Sequence, residues 1–231
     1  MNFSQSTRGE FAPPPLRMLA RESLSFAYMR MTASFGPIAP VQQSASQRPV
    51  IVIPGFMASD TTTGRLRRSL TAAGYDARGW GLGRNWQITA DLFERMETHF
   101  DDLDLDVPVT LIGWSLGGLI AREFAKYAPH RVAKVITLGS PFSGGPRANN
   151  AWRFYELIAG HKVDSPPISA VLHEKPPVPT IAFWSANDGI VAARSACGLP
   201  EESDEQIELD CTHMAYVARP EAISAIAAAV G

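Results

Sequence analysis

The chain has 231 residues, 45% of them hydrophobic and 19% charged, with a formal net charge of −2. That length suffices for one α/β domain that buries its own core without metals or disulfides. The near-neutral balance and the absence of Lys/Arg blocks argue against nucleic acid and other polyanionic partners; no apolar run approaches the ~20 residues of a membrane span.

The first ten residues place no apolar stretch behind a basic start, so they do not read as a secretory signal, and a cytoplasmic location is expected. Residues 1–47 read as a helical leader. Pro13-Pro14-Pro15 precedes a helix expected from Leu16 to about Thr32, followed by a loop with Gly36, Pro37 and Pro40. Leu16, Leu19, Leu24, Ala27, Tyr28 and Met31 on this helix are expected to pack onto a sheet or its edge. Residues 48–231 form the second unit, in which strands and helices alternate, the pattern of a parallel sheet wrapped by helices. Strands are expected at Val50 to Ile53, Asp76 to Trp80, Val107 to Ile112, Ala133 to Leu138, Thr180 to Trp184 and Gln206 to Leu209. Helices are expected near Thr63 to Ala73, Ala90 to Phe100, Leu116 to Tyr127, Asn150 to Ala159 and Pro220 to Val230. Four of the strands are almost wholly apolar, as strands covered on both faces should be.

At the junction of the third strand and its helix stands Gly113-Trp114-Ser115-Leu116-Gly117. A strand that turns at once into a helix forces the serine into a strained backbone conformation with its hydroxyl above the sheet. Side chains two residues to either side would collide, hence the glycines. Ser115 is therefore the candidate nucleophile, and it needs a base. Of the five histidines, His99 and His130 read as surface residues, and His161 and His173 fall in the variable interval between strands. His213 follows the last strand by a short loop, where a base can face the serine. The base in turn needs an acid to fix its tautomer. Asp188, just past the carboxyl end of the fifth strand, completes the chain order Ser115, Asp188, His213 that this kind of elbow requires; Asp164, Asp204 and Asp210 are the weaker candidates. Oxyanion donors are expected from the backbone amides of Leu116 and Phe56, the latter in the loop Pro54-Gly55-Phe56-Met57 after the first strand. Cys197 and Cys211 flank the acid and base loops, and two readings stay open for them: free thiols, or a bridge clipping the loops together.

These pieces resemble the α/β-hydrolase superfamily, in particular its bacterial serine esterase and lipase branch. The resemblance rests on Ile53-Pro54-Gly55-Phe56, on the elbow through Gly118, on Val135 to Phe142, on Asn187-Asp188-Gly189-Ile190-Val191 and on Cys211-Thr212-His213-Met214. It runs from about residue 49 to 231 and departs from the family pattern in two ways. Pro54 stands where many members carry histidine, and the leader is too short and helical for the family's first strands. A minimal, mostly parallel sheet of about six strands is the expectation, with a small helical cap at about residues 145–177. Trp152 in that cap, with Met57 and Trp114, is expected to line a shallow acyl pocket. The resemblance implies hydrolysis of carboxylic esters, short to medium acyl chains favoured, through an acyl-enzyme and without cofactor or metal. The same triad would also serve an acyltransferase or a thioesterase, and the same fold a ligand-binding protein of low turnover. The oligomeric state is left open.

Overall fold

The computed structural model describes residues 13–44, 48–86, 88–144 and 171–231. Six parallel strands form one sheet: β1 (Pro49–Ile53), β2 (Asp76–Gly79), β3 (Val109–Trp114), β4 (Val132–Leu138), β5 (Thr180–Trp184) and β6 (Glu205–Glu208). Their spatial order is β2-β1-β3-β4-β5-β6. From β1 the chain steps outward to β2 and then returns to the other side of β1 to lay down β3. The strand order therefore reverses between β1 and β3, the place beyond whose carboxyl ends open α/β sheets gather their functional groups.

Alternation along β1 sends Val50 and Val52 to one face of the sheet and Ile51 and Ile53 to the other, and all four are fully buried. On the first face they meet Leu66 and Leu70 of α2 (Gly64–Ala72) and Ile223, Ile226 and Val230 of α6 (Pro220–Val230). On the second they meet Met96 and Phe100 of α3 (Leu92–Asp102) and Ile120 and Phe124 of α4 (Leu116–Tyr127). Phe124 sits edge-on to both Phe93 and Phe100. Each such side chain withdrawn from water contributes roughly 1.5–3 kcal/mol, and this two-sided burial fixes the sheet's rim. A five-residue helix, α5 (Ala193–Cys197), follows the loop beyond β5.

The N-terminal helix α1 (Leu19–Phe35), entered through a single turn at Leu16–Met18, is where the structure corrects the sequence reading. Its inward face is Glu22, Met29, Thr32 and Ala33, whereas Leu16, Leu24 and Met31, expected to pack, are exposed at 73%, 77% and 77%. Polar contacts dock it. Arg68 donates to the carbonyls of Ala33, Thr32 and Gly36 at the helix end, and Arg65 reaches the Tyr28 hydroxyl at 2.7 Å. Hydrogen bonds have directions that an apolar side chain lacks, and here they decide which face turns inward. Among the described residues no helix is long and apolar enough to cross a membrane. The expected helix from Asn150 to Ala159 and most of the cap interval lie outside the described residues, as do His161, Asp164 and Trp152.

Candidate active site

Ser115 sits at the tip of β3 with φ +55° and ψ −119°, a left-handed conformation that side chains rarely adopt. Its own amide donates to the Leu138 carbonyl at 2.9 Å, which ties the turn to the end of β4. The glycines are required by space. A Cβ on Gly113 would lie 2.3 Å from the Gly117 carbonyl oxygen, and one on Gly117 would lie 2.3 Å from the Ile53 carbonyl oxygen. Strand, turn and helix can close on one another this tightly only if both positions lack a side chain.

Asp188 and His213 meet at the neighbouring strand ends. The imidazole Nδ1 lies 2.7 Å from Asp188 Oδ2, with both side chains almost fully buried. The other carboxylate oxygen, Oδ1, accepts from the amides of Ile190 and Val191, each at 2.8 Å, so the acid is held by its own loop. With Nδ1–H donated to Asp188, Nε2 is left to accept a proton. The pair lies against Gly139 at the end of β4, where an added Cβ would fall 2.9 Å from Asp188 Oδ2 and 3.2 Å from His213 Nδ1. On the elbow side, the Trp114 indole donates to the His213 carbonyl at 3.1 Å. Ser115, Asp188 and His213 are thus gathered at the carboxyl ends of β3, β5 and β6. Burial by itself disfavours the imidazolium, but the Asp188 carboxylate beside it and Glu22 behind it outweigh that, and the His213 pKa lies above its ordinary value.

The two loops carrying this pair are laced together. Ser185 donates to the Cys211 carbonyl at 2.7 Å and accepts from the amides of Asn187 and Cys211. Asn187 in turn donates to Asp210 at 2.7 Å, which makes Asp210 a loop-bracing residue. Asp204 caps the start of β5 through the Thr180 amide and pairs with Lys175. His130 and His173 are exposed and His99 half-buried, so among the described histidines His213 alone pairs with Asp188.

The loop after β1 is braced from the side. The Met57 amide donates to the Asn85 carbonyl at 2.7 Å, and the buried Asn85 side chain donates to the Pro54 carbonyl at 2.7 Å. Met57 is itself left-handed, with φ +61°, and this turns the chain back over the sheet's rim. Gly55 sits against Trp114 and Ser115: a Cβ there would come 3.3 Å from the serine's own. Phe56 and Leu116 therefore flank the serine from two sides.

One sequence expectation needs correction, and one open alternative closes. Trp114, expected to line the acyl pocket, is only 4% exposed; an indole pointing from β3 into the core serves as a strut between elbow and base loop. The cysteines are free. Cys197 donates to Gln206 at 3.5 Å, while Cys211 is buried and its thiol is pushed up to about 12, chiefly by desolvation. Of the two readings left open for them, free thiols is the one the structure shows.

Sequence reasoning missed Asn85, Ser185 and, above all, Glu22. The Glu22 carboxylate, from α1, accepts from the amides of Gly189 and His213 through Oε1, both at 2.8 Å, and from Met214 through Oε2 at 3.1 Å. The sole signal was that Glu22 is the one acidic residue in α1. Charge on a helix is ordinarily a solvated face, so nothing set it apart.

A strained serine between strand and helix is tied through the Trp114 indole to a buried carboxylate–imidazole pair; comparison with known proteins speaks to the fold that carries them. The family model of the α/β hydrolase fold matches residues 49–157, and the six-stranded parallel sheet has that fold. Among curated proteins it is similar to the pimeloyl-[acyl-carrier protein] methyl ester esterase of Photobacterium profundum, with 39% identity over 75 residues, 32% of this chain. The match covers 28% of that protein, so the chain spans under a third of its length. Among solved structures, a Bacillus subtilis carboxylesterase superposes with a TM-score of 0.58 at 13% identity, covering 93% of this chain and 98% of the other. A Paleococcus ferrophilus monoacylglycerol lipase gives 0.60 at 14% identity, covering 82% and 96%. Identities this low speak for the fold.

Proposed function

We propose that this chain is a carboxylic ester hydrolase that works through an acyl-enzyme on Ser115. The observation that carries the reading is the buried Asp188–His213 pair, 2.7 Å apart, tied through the Trp114 indole to the turn that holds Ser115 at φ +55°. In this reading His213 Nε2 takes the proton as Ser115 Oγ attacks the ester carbonyl, and Asp188 stabilises the imidazolium. The amides of Leu116 and Phe56 receive the oxyanion. The imidazolium then protonates the departing alcohol, and water, activated by the same histidine, hydrolyses the acyl-serine.

The likeness to a methyl ester esterase favours substrates with a small alcohol leaving group. The short interval between β4 and β5 favours a shallow, partly open acyl site. Each methylene buried against an apolar wall adds ~0.8 kcal/mol only until that wall ends, so short to medium acyl chains are favoured over long ones.

The test is chemical. A fluorophosphonate is expected to label Ser115 alone, and Ser115→Ala is expected to fold normally yet lose hydrolysis of p-nitrophenyl esters by about four orders of magnitude or more. Full hydrolysis by a folded Ser115→Ala protein would falsify the reading. A specificity constant still climbing at acyl chains of about sixteen carbons would overturn its acyl-chain part.

A further inference from the structure

Of the four buried residues on α1's inward face, one is a carboxylate. Glu22 is 4% exposed, and no cation neutralises it among the described residues. It is satisfied by three backbone amides: Gly189 on the loop that carries Asp188, and His213 and Met214 on the turn that carries the imidazole. A carboxyl group taken out of water needs N–H groups in place of its hydration, so helix and loops are mutually fixed. The approach is close: a Cβ on Gly189 would lie 2.9 Å from both Glu22 Cγ and the Met18 carbonyl oxygen. Arg21, one residue earlier, reaches Asn187 Oδ1 at 3.3 Å on the same acid loop.

We propose that Glu22 is a positioning residue of the reaction, a clamp from the N-terminal helix that holds the acid-bearing loop and the base-bearing turn in one register. The inference rests on the reading of Ser115, Asp188 and His213 as a triad. A clamp that slackens moves the imidazole relative to both its acid and the serine, and displacements of about 1 Å can cost about a hundredfold in rate. Its charge acts as well. The groups around His213 are Asp188 from the β5 loop, Glu22 from α1, and Cys211 and Tyr216 from its own segment, with the Tyr216 ring edge-on at 6.2 Å. Arg21 and Asp210 are engaged with Asn187, and Arg219 with the Asp210 carbonyl. Trp114 and Gly139, from β3 and β4, bring no charge.

Glu22→Gln discriminates between a clamp and mere packing. The amide oxygen can still accept from Gly189 and His213, but its NH₂ then faces the Met214 amide, donor against donor, and the charge is gone. Because a negative charge favours the imidazolium, removing it lowers the His213 pKa. The rate of Ser115 labelling by a fluorophosphonate, followed against pH, is therefore expected to fall about tenfold at its plateau. Its acid limb is expected to move down by about half a pH unit. Met29→Ala, which empties a buried position on the same helix face, is the control for stability: a lower melting temperature, with plateau and limb within about twofold of wild type. Two outcomes overturn the inference. One is a Glu22→Gln protein that labels like wild type with an unmoved limb; the other is a Met29→Ala protein that reproduces the Glu22→Gln profile. A wild-type protein unlabelled at Ser115 overturns the triad reading itself, and this inference with it.

Discussion

The serine side of the candidate site is built from one contiguous stretch, Trp114 to Gly118, whose shape follows from a strand, a turn and two glycines. The carboxylate–imidazole side is assembled from three pieces of chain: Glu22, the loop at Asp188 and the turn at His213. Their hydrogen bonds span 25, 167 and 191 positions in sequence. Local geometry leaves a motif, because steric exclusion acts on the residues next in line. Long-range geometry leaves almost none, because any carboxylate at the right place in space would serve.

The comparison can be broken from either side. Asp188→Asn addresses chemistry alone. Its Oδ1 can still accept from Ile190 and Val191, but an NH₂ replaces the oxygen facing His213 Nδ1 and turns the imidazole to the wrong tautomer. A loss of about 10⁴ in kcat is expected with the fold retained, measured by steady-state hydrolysis and circular dichroism. Retained activity would detach Asp188 from the site.

Gly117→Ala addresses architecture. Its Cβ would stand 2.3 Å from one main-chain oxygen and 2.7 Å from another, at Ile53 and Pro54, and backbone cannot swing aside as a side chain can. A destabilisation of about 3 kcal/mol or more and a melting point lower by roughly 10 °C are expected. A variant that melts like wild type would show that the elbow is not closed by contact.

Titration separates the sides more gently. Since the His213 pKa is raised and the base must be neutral, activity is expected to rise through an inflection above the ordinary imidazole value of ~6.5. Stability runs the other way. A folded pKa above the unfolded one favours the fold fully below pH ~6.5, and that contribution is lost as pH rises through the folded value. The melting-point difference between wild type and His213→Asn should therefore shrink across the window in which activity grows. A difference that widens there would reverse the assigned sign.

Most of the fold was legible because burial on both faces writes near-continuous apolar strands. The sequence reading placed α4 and α6 on their observed residues and β5 on Thr180–Trp184. β3 runs from 109 to 114 rather than 107 to 112: it starts after Pro108, which has no amide to donate, and continues into the elbow, where Trp114 pairs with Leu138. α5 was missed because five residues are too few to show a helical period. The face of α1 was misread because apolar patterning assumes that apolar residues turn inward, and here directed hydrogen bonds outweighed Leu24 and Met31. Ser115, Asp188 and His213 could be put forward as candidates from motif and chain order, and the structure pairs Asp188 with His213; Glu22 could not, because its partners are main-chain amides, which carry no residue identity.

That dependence reaches into how the molecule comes to exist. Glu22 is synthesised before every strand of the sheet, yet its last partner is the amide of Met214, which follows β6. Helix α1 must wait through the synthesis of every strand before its inward carboxylate finds the amides it was shaped for. A helix made ahead of the sheet thus completes its contacts only once the sheet's last strand has been made, and the stretch matched by the family model, beginning at residue 49, leaves out the carboxylate that bridges the two loops.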